Sequence, residues 1–210
     1  MEDTLKNVVR EQLGEALDVL RSVHADAAIH ASLAEAASNT TQSLRAGKKL
    51  MIAGNGGSAA DAQHLAAEFV SRLCDDRPAL RAIALTTDTS ALTAIGNDYG
   101  FDRVFARQLE AIGQQGDIFL GISTSGNSPN ILRALEQARA MGIRTIGLTG
   151  QTGGKMQPLC DLCICVPSTV TMHIQEAHLA LEHIFCLLVE RMFFRQNDAM
   201  KSAALAQHSR

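Results

Sequence analysis

Leu50-Met51-Ile52-Ala53-Gly54-Asn55-Gly56-Gly57-Ser58 is the stretch whose reading decides the fold. Four apolar residues run without alternation into a glycine-rich turn, and a helical pattern begins around Ala59. A short unbroken apolar run reads as a strand buried on both faces, and strand, glycine turn and helix together open a βαβ unit. The pattern recurs downstream. Apolar runs at Ala82–Leu85, Ile118–Ile122, Thr145–Leu148 and Leu162–Val166 alternate with helical segments, and a long helical pattern follows from about Met172 to Phe194. Five strands spaced this way predict an α/β fold, a doubly wound five-stranded parallel sheet of flavodoxin-like order with ligands at the carboxyl ends of its strands.

Upstream, residues 4 to 47 read as helical. Leu5, Val9, Leu13, Leu17 and Leu20 keep a helical period, and Ile29, Leu33 and Leu44 suggest a second stretch. Such an arm cannot bury its stripe on itself, so it should pack on the main domain or on another subunit. A homo-oligomer is therefore expected. The expected division is a helical arm over 1–47, an α/β domain over 48–196 and a small, polar, frayed tail over 197–210.

Composition narrows the class. The 210 residues are 46% apolar with a net charge of −3, which gives no reason to expect nucleic acid or an anionic membrane as partner. The start, Met1-Glu2-Asp3-Thr4, lacks the pattern of a secretory signal, and no apolar run approaches the roughly 20 residues of a membrane span. Five cysteines without a regular framework suit a reducing cytoplasm. Cys160, Cys163 and Cys165 form a C-x-x-C-x-C cluster open to a metal or redox reading. The run Leu162–Val166 favours a buried strand using Cys as a small apolar residue, since no second Cys pair completes a zinc site.

Two strand ends lead into loops suited to anions. In Gly54–Ser58 the glycines permit close backbone approach at a helix start, and Ser58 with Asp61 has the spacing of a capping pair. In Ser123-Thr124-Ser125-Gly126-Asn127-Ser128, followed by Pro129, Ser128 is the expected helix cap, and four hydroxyls make a phosphate cradle that needs no Lys or Arg. Taken singly, the first is also a tight connection and the second a hydrophilic loop. Gly150-Gln151-Thr152-Gly153-Gly154-Lys155-Met156 has the wrong spacing for a nucleotide P-loop.

In order along the chain, Gly54–Ser58, Ser123–Ser128, Thr149-Gly150 with Gly153-Gly154, and Gln175-Glu176-x-His178 resemble the SIS (sugar isomerase) domain. Within it they resemble the bacterial phosphoheptose isomerase family, over about residues 48–190, and the helical arm also fits. The resemblance implies an aldose–ketose isomerase that converts sedoheptulose 7-phosphate to D-glycero-D-manno-heptose 7-phosphate through an enediol. That would be the first step toward ADP- or GDP-heptose precursors, performed by a cytoplasmic homotetramer. It assigns Glu68 as the catalytic base and His183 as its partner. Some members bind one zinc per subunit through positions matching His64, Glu68, Gln175 and His183. Helix geometry permits this: His64 and Glu68 share a face, and Gln175 and His183 differ by about 80° around theirs.

Substrate contacts implied by the resemblance are Asn55, Gly56, Gly57, Ser58, Glu68, Asn97, Asp98, Ser123, Thr124, Ser125, Ser128 and Gln175. Arg72, one turn beyond Glu68, is expected to add charge near the phosphate, and His178 to be supporting structure. His173 departs from the pattern, where the family commonly carries Arg. Without the resemblance, a His-x-x-x-Glu pair is more often a surface ion pair, and a His among Leu179, Leu181, Ile184 and Leu187 is usually semi-buried and hydrogen-bonded. The rival reading is a non-catalytic SIS homotetramer that binds the bacterial replication initiator; that relative lacks the residues matching Glu68 and His183. A sugar-phosphate-sensing regulator would need a DNA-binding helix-turn-helix, which the arm does not show.

Overall fold

The computed structural model describes the backbone over residues 2–208 and the side chains over 3–194. Five strands form one sheet: β1 (Leu50–Ala53), β2 (Ala82–Ala84), β3 (Ile118–Ser123), β4 (Arg144–Gly150) and β5 (Leu162–Val166), in the order β2-β1-β3-β4-β5. Every pairing is parallel, with Leu50 opposite both Ala82 and Ile118. The expected flavodoxin-like order is the one observed.

Both faces of the sheet are covered, which is why its central strands carry unbroken apolar runs. Leu50, Ile52, Leu120, Ile122 and Leu148 face one core, packed under α2 (Ala27–Arg45), α3 (Gly57–Val70) and α7 (Thr171–His208). Met51, Ala53 and Phe119 face the other, under α5 (Val104–Ile112) and α6 (Pro129–Ala140). The connection from β1 runs to the first face and that from β3 to the second, so the chain parts between adjacent strands and opens a crevice at their carboxyl ends. A further helix, α4 (Thr89–Tyr99), begins on Asp88, whose carboxylate accepts the Ala91 amide at 2.9 Å.

The N-terminal helices divide. Asp26 ends α1 (Glu2–Ala25) and caps α2, accepting the Ala28 and Ile29 amides at 2.8 and 3.1 Å. Ile29, Leu33, Ala36, Ala37 and Leu44 of α2 are buried in the first core, so α2 is a layer of the domain. α1 lies against α7 and reaches the first core through Val23 near its end, while its Leu5, Val9, Leu13 and Leu17 are each at least half exposed. The expected frayed tail over 197–210 lies outside the residues whose side chains are described. Among the described residues no helix is long and apolar enough to cross a membrane.

His173 joins α1 to α7. Buried, it meets the Glu176 carboxylate through Nδ1 at 2.9 Å and the Glu15 carboxylate of α1 through Nε2 at 3.2 Å. The bond to Glu176, followed by the bond to Glu15, raises its pKa above the ordinary value against the opposing effect of burial. A raised folded-state pKa contributes stability that is fully present below the unfolded value near 6.5 and is lost as pH rises through the folded value. The difference in melting temperature between the parent and His173→Gln should therefore be largest below about pH 6.5 and shrink at higher pH. A pH-independent difference would show that the imidazolium is not the clasp.

Arg77 performs a similar task at the far end of α3. Its guanidinium donates to the carbonyls of Phe69 at 2.7 Å and Glu68 at 2.8 Å, and to Glu190 Oε2 at 3.1 Å. The Glu190 carboxylate also accepts the amides of Leu73 and Asp75. This buried pair thus ties the end of α3 and the chain after it to α7.

Candidate active site

The first wall of the crevice is the turn after β1. Gly56 takes φ +56° at the helix N-cap position, and the Ala59 and Ala60 amides bond to its carbonyl. The helix therefore starts at Gly57, two residues before the sequence expectation, and no side chain caps it. The expected capping by Ser58 and Asp61 does not form, because the glycine backbone makes the turn by itself. Both residues are buried inside the first turn instead. Gly57 is needed for space: a Cβ there would collide with the Gln175 side chain.

The second wall is the serine loop. Ser128 occupies the N-cap of α6 with Pro129 next, as expected, but its hydroxyl lies 2.9 Å from that of Ser123 and makes no cap bond. Ser123 is buried, Thr124 half-buried and Ser125 exposed. Gly126, at φ +65°, is pressed against the Gly153 carbonyl, and its own carbonyl accepts the Met156 amide. The loop after β4 thus buttresses the serine loop from behind. Asn55 joins the two walls: its amide donates to Asn130 at 2.9 Å and accepts from it at 2.7 Å.

Above the turn, α3 and α7 cross. Asp61, His64 and Glu68 share one face of α3, and they meet Gln175 and His183 of α7. His64 Nε2 lies 2.8 Å from His183 Nε2, with the rings edge to face, so one imidazole donates and the other accepts. Glu68 Oε1 is 3.7 Å from His64 Nε2. The Gln175 amide donates to Asp61 Oδ2 at 3.2 Å. Burial raises the Asp61 pKa, partly offset by the Gln175 hydrogen bond and the His64 charge. Two imidazoles, a carboxylate and a carboxamide oxygen are donor types that zinc accepts. As the side chains stand, Gln175 is turned to Asp61, and among the described residues no group of three or more His, Cys, Asp or Glu forms a ready metal cage.

Two buried titratable groups of α7 lie behind this face. His178 donates from Nε2 to the Thr149 carbonyl at 3.1 Å, and burial lowers its pKa to about 4, so it is a neutral strut between α7 and the end of β4. Glu182 sits beside Leu33, Leu120 and Phe185 with neither oxygen hydrogen-bonded; burial first, then Asp61, pushes its pKa up to about 8. At neutral pH most of it is the uncharged acid, the form an apolar site tolerates.

Other expected positions stand apart from this cluster. α3 ends at Val70, so Arg72 is off the Glu68 face and lies 3.9 Å from Asp76. Asn97 and Asp98 are exposed in the last turn of α4, bonded to each other at 2.8 Å. Cys163 and Cys165 lie on β5 as expected, but that strand is at the sheet edge and both are half-buried rather than buried; all five cysteines are free. Sequence reasoning missed Asp61 as a site residue and missed Asn130. The i, i+3, i+7 spacing of Asp61, His64 and Glu68 marks one helix face and was available as a signal.

Comparison with known proteins agrees with this architecture. A SIS domain family model matches residues 13–150, beginning within α1. A phosphoheptose isomerase of Aneurinibacillus thermoaerophilus is 51% identical over 191 residues, 91% of this chain and 96% of the relative. The structure of the Neisseria gonorrhoeae phosphoheptose isomerase superposes with a TM-score of 0.83 at 42% identity, covering 89% of this chain and 98% of that one. The Francisella tularensis phosphoheptose isomerase gives 0.84 at 35% identity, covering 88% and 97%. By fold, by the length of chain shared and by identity over that length, the protein belongs to the SIS-domain phosphoheptose isomerase family.

Proposed function

We propose that the protein interconverts sedoheptulose 7-phosphate and D-glycero-D-manno-heptose 7-phosphate by proton transfer through an enediol, a step that supplies activated heptose precursors. Family membership supports the reaction class, and one observation supports the assignment of groups: Glu68 converges with His64, His183 and Gln175 beside the glycine turn. Phosphate would be held by the hydroxyls of Ser123, Thr124, Ser125 and Ser128 and by amides at the start of α6, anchoring the substrate so that its reacting carbons stay in register. The backbone of Asn55, Gly56, Gly57 and Ser58 would line the sugar, with Gln175 above it. Glu68 would carry the proton between the two carbons, and His183 would serve the oxygens or assist ring opening. Asn97, Asp98 and Arg72 would be further contacts on the family resemblance alone, since all three stand apart from the α3–α7 cluster.

His64, Glu68, Gln175 and His183 would hold one zinc per subunit, with Gln175 released from Asp61. Zinc would polarise the substrate carbonyl and stabilise enediolate charge. The bare apolar stripe of α1 supports a homotetramer in which Leu5, Val9, Leu13 and Leu17 are covered by neighbouring subunits. The five free cysteines suit a reducing cytoplasm.

Turnover of sedoheptulose 7-phosphate by metal-stripped protein, with and without added zinc, tests the reading. Activity should disappear on stripping and return at one zinc per subunit. Full activity without metal would remove zinc from the proposal and keep the isomerase. No turnover in either state would reject this substrate.

A further inference from the structure

The amide pair between the two walls of the crevice has a direction of dependence. Asn130 is buried at 2% exposure, in the first turn of α6 directly after Pro129. A carboxamide there costs free energy unless its donor and acceptor are used. Both are used on one residue: Asn130 Nδ2 donates to Asn55 Oδ1 at 2.7 Å, and Asn55 Nδ2 donates to Asn130 Oδ1 at 2.9 Å. A two-way carboxamide pair holds both amide planes and couples their orientations, since turning either amide alone would set nitrogen against nitrogen and oxygen against oxygen. Asn55 is only half-buried and stands beside a cavity of about 540 Å³ shared with Gly56, Phe101, Asp102, Ser128 and Asn130. After the pairing, it retains one N–H and one oxygen lone pair for a ligand hydroxyl.

We infer that Asn130 is a positioning residue for substrate recognition, holding the Asn55 side chain and its amide plane in place across the crevice between the glycine turn and the serine loop. The inference rests on the isomerase reading for its kinetic consequence. Its structural content concerns only the two amides. Asn130 needs no contact with the substrate; its effect passes through Asn55. Because proton transfer belongs to the α3–α7 face, loosening Asn55 should weaken binding and leave the chemical step nearly untouched.

The experiment is a double-mutant cycle with Asn55→Ala, Asn130→Ala and the pair, assayed on sedoheptulose 7-phosphate with saturating zinc. Each single change should raise KM by about 5- to 20-fold with kcat held within about twofold, and the double mutant should be no worse than Asn55→Ala. Multiplying effects, or a loss in kcat alone, would overturn the positioning role. Asn130→Asp guards against misfolding, since it keeps the shape and the acceptor but removes the donor; it should raise KM in the same way. An independent readout is the side-chain ¹⁵N–¹H pair of Asn55, which should be dispersed in the parent and collapse toward free-amide shifts in either Asn130 variant. An unchanged Asn55 signal overturns the proposal whatever the activity. A collapsed signal with no turnover by the parent leaves the lock standing and rejects the substrate.

Discussion

Glu68→Gln should lower kcat for sedoheptulose 7-phosphate by about 10³-fold while leaving the melting temperature within a degree or two of the parent. A carboxylate can accept and return a proton between two carbons, and a carboxamide of the same shape cannot. Among the described residues the site has no second carboxylate in the same place: Asp61 is bonded to Gln175, and Glu182 of α7 faces an apolar pocket. Glu68 is half-buried, and the hydrogen bond from Arg77 to this residue goes to its carbonyl, so the substitution leaves the clamp at the end of α3 intact. Since Glu68 is also a proposed zinc ligand, the assay should be run at a large excess of zinc. Solvent-deuterium exchange at the substrate carbon should disappear along with turnover. Turnover near the parent level would remove Glu68 from the reaction, and rescue by zinc alone would reduce its role to holding metal.

The second large effect concerns stability. Arg77→Met should destabilise the fold by about 3–5 kcal/mol, because it strands the Glu190 carboxylate in a site where both side chains of the pair are nearly inaccessible. Burial alone would raise the Glu190 pKa. The Asp75 amide, the Arg77 guanidinium and the Leu73 amide together outweigh it and hold that pKa below the ordinary value. A depressed folded-state pKa contributes stability that is present above the unfolded value near 4.3 and is lost as pH falls through the folded value. Denaturant unfolding at pH 7 should therefore show the full deficit in Arg77→Met, and the gap to the parent should narrow in acid. Replacing both partners with apolar residues should recover much of the loss, since it leaves no buried charge unpaired. A single mutant within about 1 kcal/mol of the parent would mean that water reaches Glu190 once Arg77 is gone. Arg77 also holds the carbonyls of Glu68 and Phe69, so the single mutant should lose activity before it unfolds globally.

The strand set was legible because a strand buried on both faces has few acceptable sequences. Leu50–Ala53 and Leu162–Val166 have the bounds expected, and β3 and β4 extend one to three residues beyond theirs. Helix starts were read less well. Ser58 had the spacing of a cap, yet Gly56 turns the chain by backbone conformation alone, and spacing does not record φ. Ser128 was placed correctly at a helix start, but its hydroxyl is committed to Ser123, five residues away across the loop. The arm read as one unit, although its second half is core: the period of α2 shows that it has an apolar face but not which surface that face meets.

The candidate residues on α3 and α7 came only from the family resemblance; what the sequence by itself determined was the alternation of elements and the glycine and serine loops at two strand ends. These follow from periodicities and turn chemistry that act within a few residues. Tertiary structure alone decided which of those residues touch. Gln175 meets Asp61 from 114 positions away, Asn55 meets Asn130 from 75, and His64 meets His183 from 119. A side chain's place on its own helix is set by 3.6 residues per turn, but its neighbour on another helix depends on how two apolar faces interlock over the sheet. That packing is a property of the whole core, and no local stretch of this chain encodes it.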